Sequence, residues 1–348
     1  MGNDIMVVGS VPLDNAEQVF RAVGTALGDR IRAIPDGETG PRLNWIEWQA
    51  PVFEKHPMFQ SADSLPDWRN QDVSGKWRAS PWYALRPDAD VGRLRFGPLG
   101  YANTAVESFA ILRRCKADGA VHKSCKLQIA IPTPYNVIDQ RIAPTDRLKV
   151  EGPYEARMRE EIAEICAALP HDEIAIQWDV AHEVQNLAGG RPHWFDDPER
   201  QILDRLIRLS ECVPSDVDLG FHLCYGDFAH RHFIEPTDTA LMTRLANALS
   251  RQLKRPLAWF HMPVPRNRAD DAYFAPLADL TLHRETRLFL GLVHFTDGVD
   301  GARRRIDAAQ KYVRDFGIAT ECGFGRRDPT TIPSLLRLHV AVADLLAQ

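Results

Sequence analysis

No stretch of this chain approaches the roughly 18 uninterrupted apolar residues that a membrane-spanning helix requires, so no membrane partner is expected. It has no basic excess. Its 42 Lys and Arg stand against 47 Asp and Glu, a formal net charge of −5. That is the wrong sign for gripping a phosphate backbone, so no nucleic-acid partner is expected. There is no G-x-G-x-x-G after the first strand-like run and no P-loop, which removes the usual signals of a doubly wound nucleotide-binding sheet. The opening residues, MGNDIMVVGSVP, lack a basic-then-apolar leader and the Ser or Thr of a myristoylation signal; they read as a strand and a turn. The expected location is the cytoplasm. Cysteine is sparse and scattered, at Cys115, Cys125, Cys166, Cys212, Cys224 and Cys322, and a cytosolic chain of this size needs no disulfides.

What is present is an alternation of short apolar runs with amphipathic stretches. The runs DIMVVGS (4–10), IRAIPDGE (31–38), KLQIAIPTP, EIAIQWD, VDLGFHLC, PLAWFHM, TRLFLGLVHF and IATECG read as strands. Helical spacing with caps and glycine stops lies between them, as in the segment from Asn15 to Leu27 ahead of Gly28 and in YEARMREEIAEICAAL. Strands alternating with helices predict parallel βα units, and about eight of them fill one α/β domain, a single (β/α)8 TIM barrel spanning residues 1–348. The stretch 49–110 is rich in tryptophan, proline and charge and has little periodicity; it reads as a long insertion after strand 2, a lid or the contact of a homodimer.

In such a barrel, chemistry sits at the C-terminal ends of the strands. Those ends carry Ser10, then Asp36 and Glu38, then Asp179 followed by His182 and Glu183, then His222 and Cys224, His261, His294, and last Glu321 and Cys322. A lone His or Cys at a strand end is ordinarily a packed or capping residue; their joint occurrence argues for a site. His222 and Cys224 are two apart on one strand, so both side chains leave the same face. With His261 and Cys322 they make an N2S2 set that suits tetrahedral zinc.

These segments resemble the catalytic C-terminal barrel of cobalamin-independent methionine synthase. GFHLCYGDF is similar to its His-x-Cys-Tyr segment, TECGFGRR to its last zinc-ligand stretch, VVGSVP to its Gly-Ser-x-Pro turn, IPDGETGPRLNWIEW to its Gly-Glu segment, AIQWD to its Ile-Gln-x-Asp strand, and GLVHFTDG to its His-bearing strand end. The matches run in the family's order across nearly the whole chain apart from 49–110. The resemblance implies zinc held by His222, Cys224 and Cys322, with His261 in the place of the family's glutamate ligand. It implies that Ser10, Glu38 and Asp179 hold the amino-acid part of homocysteine, and that His294, with Asp179, serves the transfer. Val180 stands where the family has a further acidic residue, and the chain leaves no place for the long synthases' N-terminal barrel.

The function so implied is a zinc-dependent methyl or alkyl transfer. The metal keeps a homocysteine-like thiol as thiolate, and the sulfur attacks an electrophilic carbon. The partners are the small-molecule thiol and an alkyl donor. Two other readings fit the same residues: a zinc-assisted lyase or hydrolase with His294 or Glu183 as base, and a metal- or porphyrin-binding protein without turnover.

Overall fold

The computed structural model describes residues 4–62, 65, 68–71, 77–228 and 231–346. Seven strands, β1 (Ala33–Pro35), β2 (Lys126–Pro132), β3 (Ile174–Val180), β4 (Asp218–Leu223), β5 (Trp259–Pro263), β6 (Arg287–Gly291) and β7 (Gly317–Ile318), lie side by side in chain order and are all parallel. The sheet curls into a barrel-like arc. Strand β3, IAIQWDV, is buried at every position, the mark of a parallel strand covered on both faces.

The helices run outside the sheet. Helix α1 (Ala16–Leu27) buries Ala16, Val19, Phe20, Val23 and Leu27, one stripe at helical spacing, and the Asn15 side chain caps it by accepting from the Gln18 amide. Helix α2 (Tyr101–Ala117) crosses over to β2, and α3 (Pro134–Arg141) and α4 (Arg147–Ala168) fill the connection from β2 to β3. After β3 come α5 (His182–Leu187) and α6 (Pro198–Glu211); α7 (Ala240–Gln252), α8 (Gly298–Ala309) and α9 (Ile332–Leu346) complete the outer layer. Among the described residues no helix is long and apolar enough to cross a membrane.

The segment DIMVVGS is extended but pairs at a single bridge, Ile5 with Ile318. Its amides reach both ends of the sheet: Ile5 N–H donates to the Arg30 carbonyl and Met6 N–H to the Ile318 carbonyl, each at 2.9 Å. Further along, side chains replace the missing ladder. The Gln128 and Gln177 amides both donate to the Val8 carbonyl at 2.8 Å. Met6, Val8, Ala175, Trp259, Phe289 and Ala319 fill the space inside the arc.

Within 49–110, a short helix (Ala50–Glu54) is followed by Phe59–Ser61 paired antiparallel with Tyr83–Leu85, and by Trp68–Gln71 paired with Trp77–Ser80. Residues 63, 64, 66, 67 and 72–76 of that stretch lie outside the described residues. Phe53, Phe59, Tyr83 and Phe96 pack in one aromatic cluster against Tyr154 of α4.

At the end of β6 the next segment passes very close. A Cβ added to Gly291 would stand 2.8 Å from the Glu321 Cα and 2.9 Å from the Thr320 carbonyl, both backbone atoms that cannot swing away. Gly291→Ala should therefore destabilise the fold by about 1–3 kcal/mol through overpacking. Denaturant unfolding measures it, and a loss below about 0.5 kcal/mol would show that this approach is loose.

Candidate functional site

The ends of the strands open into a cavity of about 930 Å3, its mouth included, and Ser10, Glu38, Asp179, His222, Cys224 and Cys322 all line it. Register places them. Asp179 on β3 lies beside His222 on β4, and His222 beside His261 on β5, so three side chains from one lateral row leave the sheet on the same face. The Val180 carbonyl accepts from the Cys224 amide at 2.9 Å, fixing the residue just beyond β4. Cys322 arrives from the turn after β7.

The ligand atoms of His222, Cys224 and Cys322 lie within 4.8 Å of one another. His222 Nε2 and Cys322 Sγ are 4.0 Å apart. Tetrahedral zinc with Zn–S near 2.3 Å and Zn–N near 2.0 Å sets its ligand atoms roughly 3.5–3.8 Å apart, so this trio needs little adjustment to hold one. Two thiols and an imidazole are also the right chemistry. Three protein ligands with a fourth position left over is the pattern of a catalytic rather than a structural zinc.

His261, read from the sequence as a fourth ligand, is placed behind His222 and outside that trio. Its Nε2 is 2.9 Å from the Thr320 carbonyl and its Nδ1 is 2.7 Å from His222 Nδ1. A carbonyl only accepts, so His261 carries its proton on Nε2. Burial keeps the ring neutral, with its pKa lowered to about 4, and its Nδ1 must then accept. His222 therefore donates from Nδ1 and presents a bare Nε2 to the two sulfurs. Burial, with His261 and His232 adding to it, also pushes the His222 pKa well down, so its lone pair is available at neutral pH. This is the outer-shell support that metal-binding imidazoles ordinarily have, supplied here by a second histidine.

His294 does not line the cavity. Its Nε2 meets the Val264 carbonyl at 2.9 Å and its Nδ1 faces Glu321 at 3.1 Å. Burial lowers its pKa to about 3.

Glu38 and Asp179 form the acidic side of the cavity. Gly9 allows this approach: a Cβ there would stand 2.4 Å from Glu38 Oε1. Glu38 itself adopts φ 49°, a left-handed conformation costly for a residue with a side chain. Asp179 accepts from the Gln177 amide at 2.8 Å and from the Trp45 side chain. Burial and the repulsion of Asp179 raise the Glu38 pKa well above the carboxylate range. Burial raises Asp179 to about 7. Two buried carboxyls that repel each other do not both ionise readily unless a cation joins them.

The cavity wall also holds residues that sequence reasoning passed over. Trp45 sits at φ 55°, a strained kink in the turn-like segment Gly40–Gln49. Arg326 brings Nη2 to 3.8 Å from Cys322 Sγ. His182 appeared among the strand-end residues, but its buried partner Asp139, 43 positions away, carries no signal in sequence.

No protein-family model matches this chain, and no curated protein is similar to it in sequence. Solved structures are similar in shape. A B12-independent methionine synthase from Shewanella sp. W3-18-1, in complex with selenomethionine, superposes with a TM-score of 0.60 at 14% identity, covering 99% of this chain and 97% of that one. A methyltransferase from Methanosarcina mazei gives 0.51 at 13% identity, covering 97% and 95%. The chain shares their fold. At this identity the likeness concerns architecture, and the chemistry has to be argued from the residues above.

Two expectations follow. His261→Ala should weaken zinc binding by about 10–100-fold, the cost of removing an outer-shell support. Chelator competition measures it: unchanged affinity would take His261 out of the centre, and complete loss would make it a ligand. Asp179→Asn should stabilise the ligand-free fold at pH 8. A carboxyl with a raised folded pKa favours the fold fully below its unfolded value of 3.8, and that contribution is lost as pH rises through about 7. The variant should gain about 1–3 kcal/mol at pH 8, less than the full shift because the two carboxyls share their repulsion. A lower melting temperature at pH 8 would contradict this.

Proposed function

We propose that this chain is a zinc-dependent enzyme that transfers a methyl or alkyl group to the thiol of homocysteine or a close relative. We further propose that the segment 4–10 takes the eighth place in a closed barrel, with residues 49–110 as an insertion over it. The single observation that carries the functional reading is that the His222, Cys224 and Cys322 trio and the Glu38–Asp179 pair face one cavity.

His222, Cys224 and Cys322 would hold the metal, with His261 and the Thr320 carbonyl fixing the His222 tautomer. Zinc held there would supply a Lewis acid that lowers the pKa of a substrate thiol toward neutrality. The Glu38–Asp179 pair receives the substrate ammonium. A cation between two buried carboxyls relieves their repulsion and makes charge-assisted hydrogen bonds to both. Ser10, whose Oγ accepts from the Gly325 amide at 3.3 Å, positions the rest of the amino-acid part. Arg326 gives the cavity a cationic side, so its charges complement a zwitterion. The tight fixing of these groups converts the encounter of sulfur and donor carbon into an oriented reaction.

With His261 neutral and outside the trio, two thiolates balance the metal's charge. A carboxylate ligand in its place would leave one negative charge more. The site is correspondingly less electron-rich than one with a glutamate ligand, and its sulfur is a weaker nucleophile. That supports an activated alkyl donor.

Purified protein should carry about one zinc per chain. Cys224→Ser and Cys322→Ser should each lose most of it while circular dichroism stays native. Full retention of zinc in both variants would end the proposal. Glu38→Gln should weaken homocysteine binding at least tenfold more than binding of a simple alkyl thiol, as calorimetry would read. Equal weakening of the two would mean the substrate has no amino group.

A further inference from the structure

One wall of the cavity carries an acid–base pair that the roles above leave unused. His182 begins α5 and lines the cavity, and its Nδ1 is 2.9 Å from Asp139 Oδ2 on α3. Asp139 is fully buried and ion-paired to Arg147 at 2.9 Å and to Arg191 at 3.3 Å. Burial alone would push its pKa up, but His182, Arg191 and Arg147 outweigh that and hold it down at about 2. An ionised carboxylate accepts, so His182 carries its proton on Nδ1. The Asn136 side chain accepts from the His182 main-chain amide at 2.8 Å and fixes the backbone, while Asp139 and Trp45, edge-on at 5.5 Å, hold the ring itself. Burial lowers the His182 pKa against the pull of Asp139, with Arg191 and Arg141 adding to the lowering. The ring is therefore neutral at pH 7, and Nε2, for which the described residues show no hydrogen bond, is a bare acceptor on a residue that lines the cavity.

His182 lines the same cavity as His222, Cys224 and Cys322. Asp179 lies beside His222, and the Val180 carbonyl holds the Cys224 amide. His182 follows Val180 by two residues, just past the end of the strand that neighbours the one leading into Cys224. Resting on the reading above, we propose that His182, backed by Asp139, is the base that takes the proton from the substrate thiol as it enters the metal-binding end of the cavity. The S–H bond breaks, its electron pair stays on sulfur, and the proton passes to Nε2. Asp139 stabilises the imidazolium, which then gives the proton to water at the cavity mouth. The arrangement is that of a histidine base oriented by a buried carboxylate.

The test follows the proton and not turnover. Zinc-loaded protein is mixed with L-homocysteine in a stopped-flow instrument with a pH indicator, and the rates of thiol binding and proton release are recorded. His182→Gln should slow both by about 100–10,000-fold, the usual worth of a positioned base, while equilibrium affinity for the thiol changes less than about threefold. In His182→Gly, added imidazole should restore the rate as it fills the space left behind. Equal rates in wild type and His182→Gln would overturn the proposal while leaving thiol binding intact. So would a slow variant that imidazole fails to rescue, because packing loss alone is not repaired by a free base. Absence of homocysteine binding to the zinc-loaded wild type would instead overturn the functional reading, and this proposal with it.

Discussion

One lateral line across the sheet governs the rest. Pro132, Asp179, His222, His261, Phe289 and Gly317 are consecutive partners across β2 to β7. In a parallel sheet, residues in one such row project from the same face, and a slip of one position would turn every one of them outward. The row thus delivers a carboxyl and two imidazoles to the interior side at one height. Two residues further on, Cys224 emerges on the same face as His222. The turn after β7, packed against Gly291, brings Cys322 to meet them. Tertiary register, more than any local motif, assembles the centre.

Charge is handled in two opposite ways in this cavity. The imidazoles of His222 and His261 are buried and neutral, tied in a directed chain of hydrogen bonds that ends at a backbone carbonyl. Apart from the His222 Nε2 that faces the two sulfurs, every ring nitrogen in that chain has its partner, so it is rigid and inexpensive. The carboxyls of Glu38 and Asp179 are the reverse, buried with too little positive charge around them and both raised in pKa. The two carboxyls therefore repel each other, and left-handed backbone at Glu38 and Trp45 adds strain at the same place. Strain concentrated at a cavity and relieved by a cation is what a binding site for an ammonium group needs.

Much of this was legible in the chain. The alternation of apolar runs and amphipathic stretches located every strand of the sheet, because burial on both faces leaves a continuous apolar signature. The i, i+2 spacing of His222 and Cys224 placed both on one face, and the rule that chemistry gathers at strand ends picked out Cys322, Ser10, Glu38 and Asp179, all of which line the cavity. His261 shows the limit. Its strand and face were readable, but its role depends on reach: an imidazole long enough to touch Thr320 on one side engages His222 on the other and stands behind the centre. His294 is similar, because the Val264 carbonyl and Glu321 occupy its two nitrogens. The segment DIMVVGS looked like an ordinary strand, yet it pairs at a single bridge, and its Val7 and Val8 carbonyls are taken by the Gln128 and Gln177 side chains. Side-chain replacement of a ladder has no periodic signal. Asp139 was invisible for the same reason, since α3 is brought against α5 only by the packed fold.

The most direct test of the account is X-ray absorption at the zinc edge of the purified protein, with and without homocysteine. The protein alone should show two sulfurs and one imidazole nitrogen at bonding distance, the remainder being light solvent atoms, and homocysteine should raise the sulfur count to three. A second imidazole in the protein alone would return His261 to the ligand set. Fewer than two sulfurs, or a sulfur count that homocysteine leaves unchanged, would contradict the claim that this cavity joins a metal to a thiol.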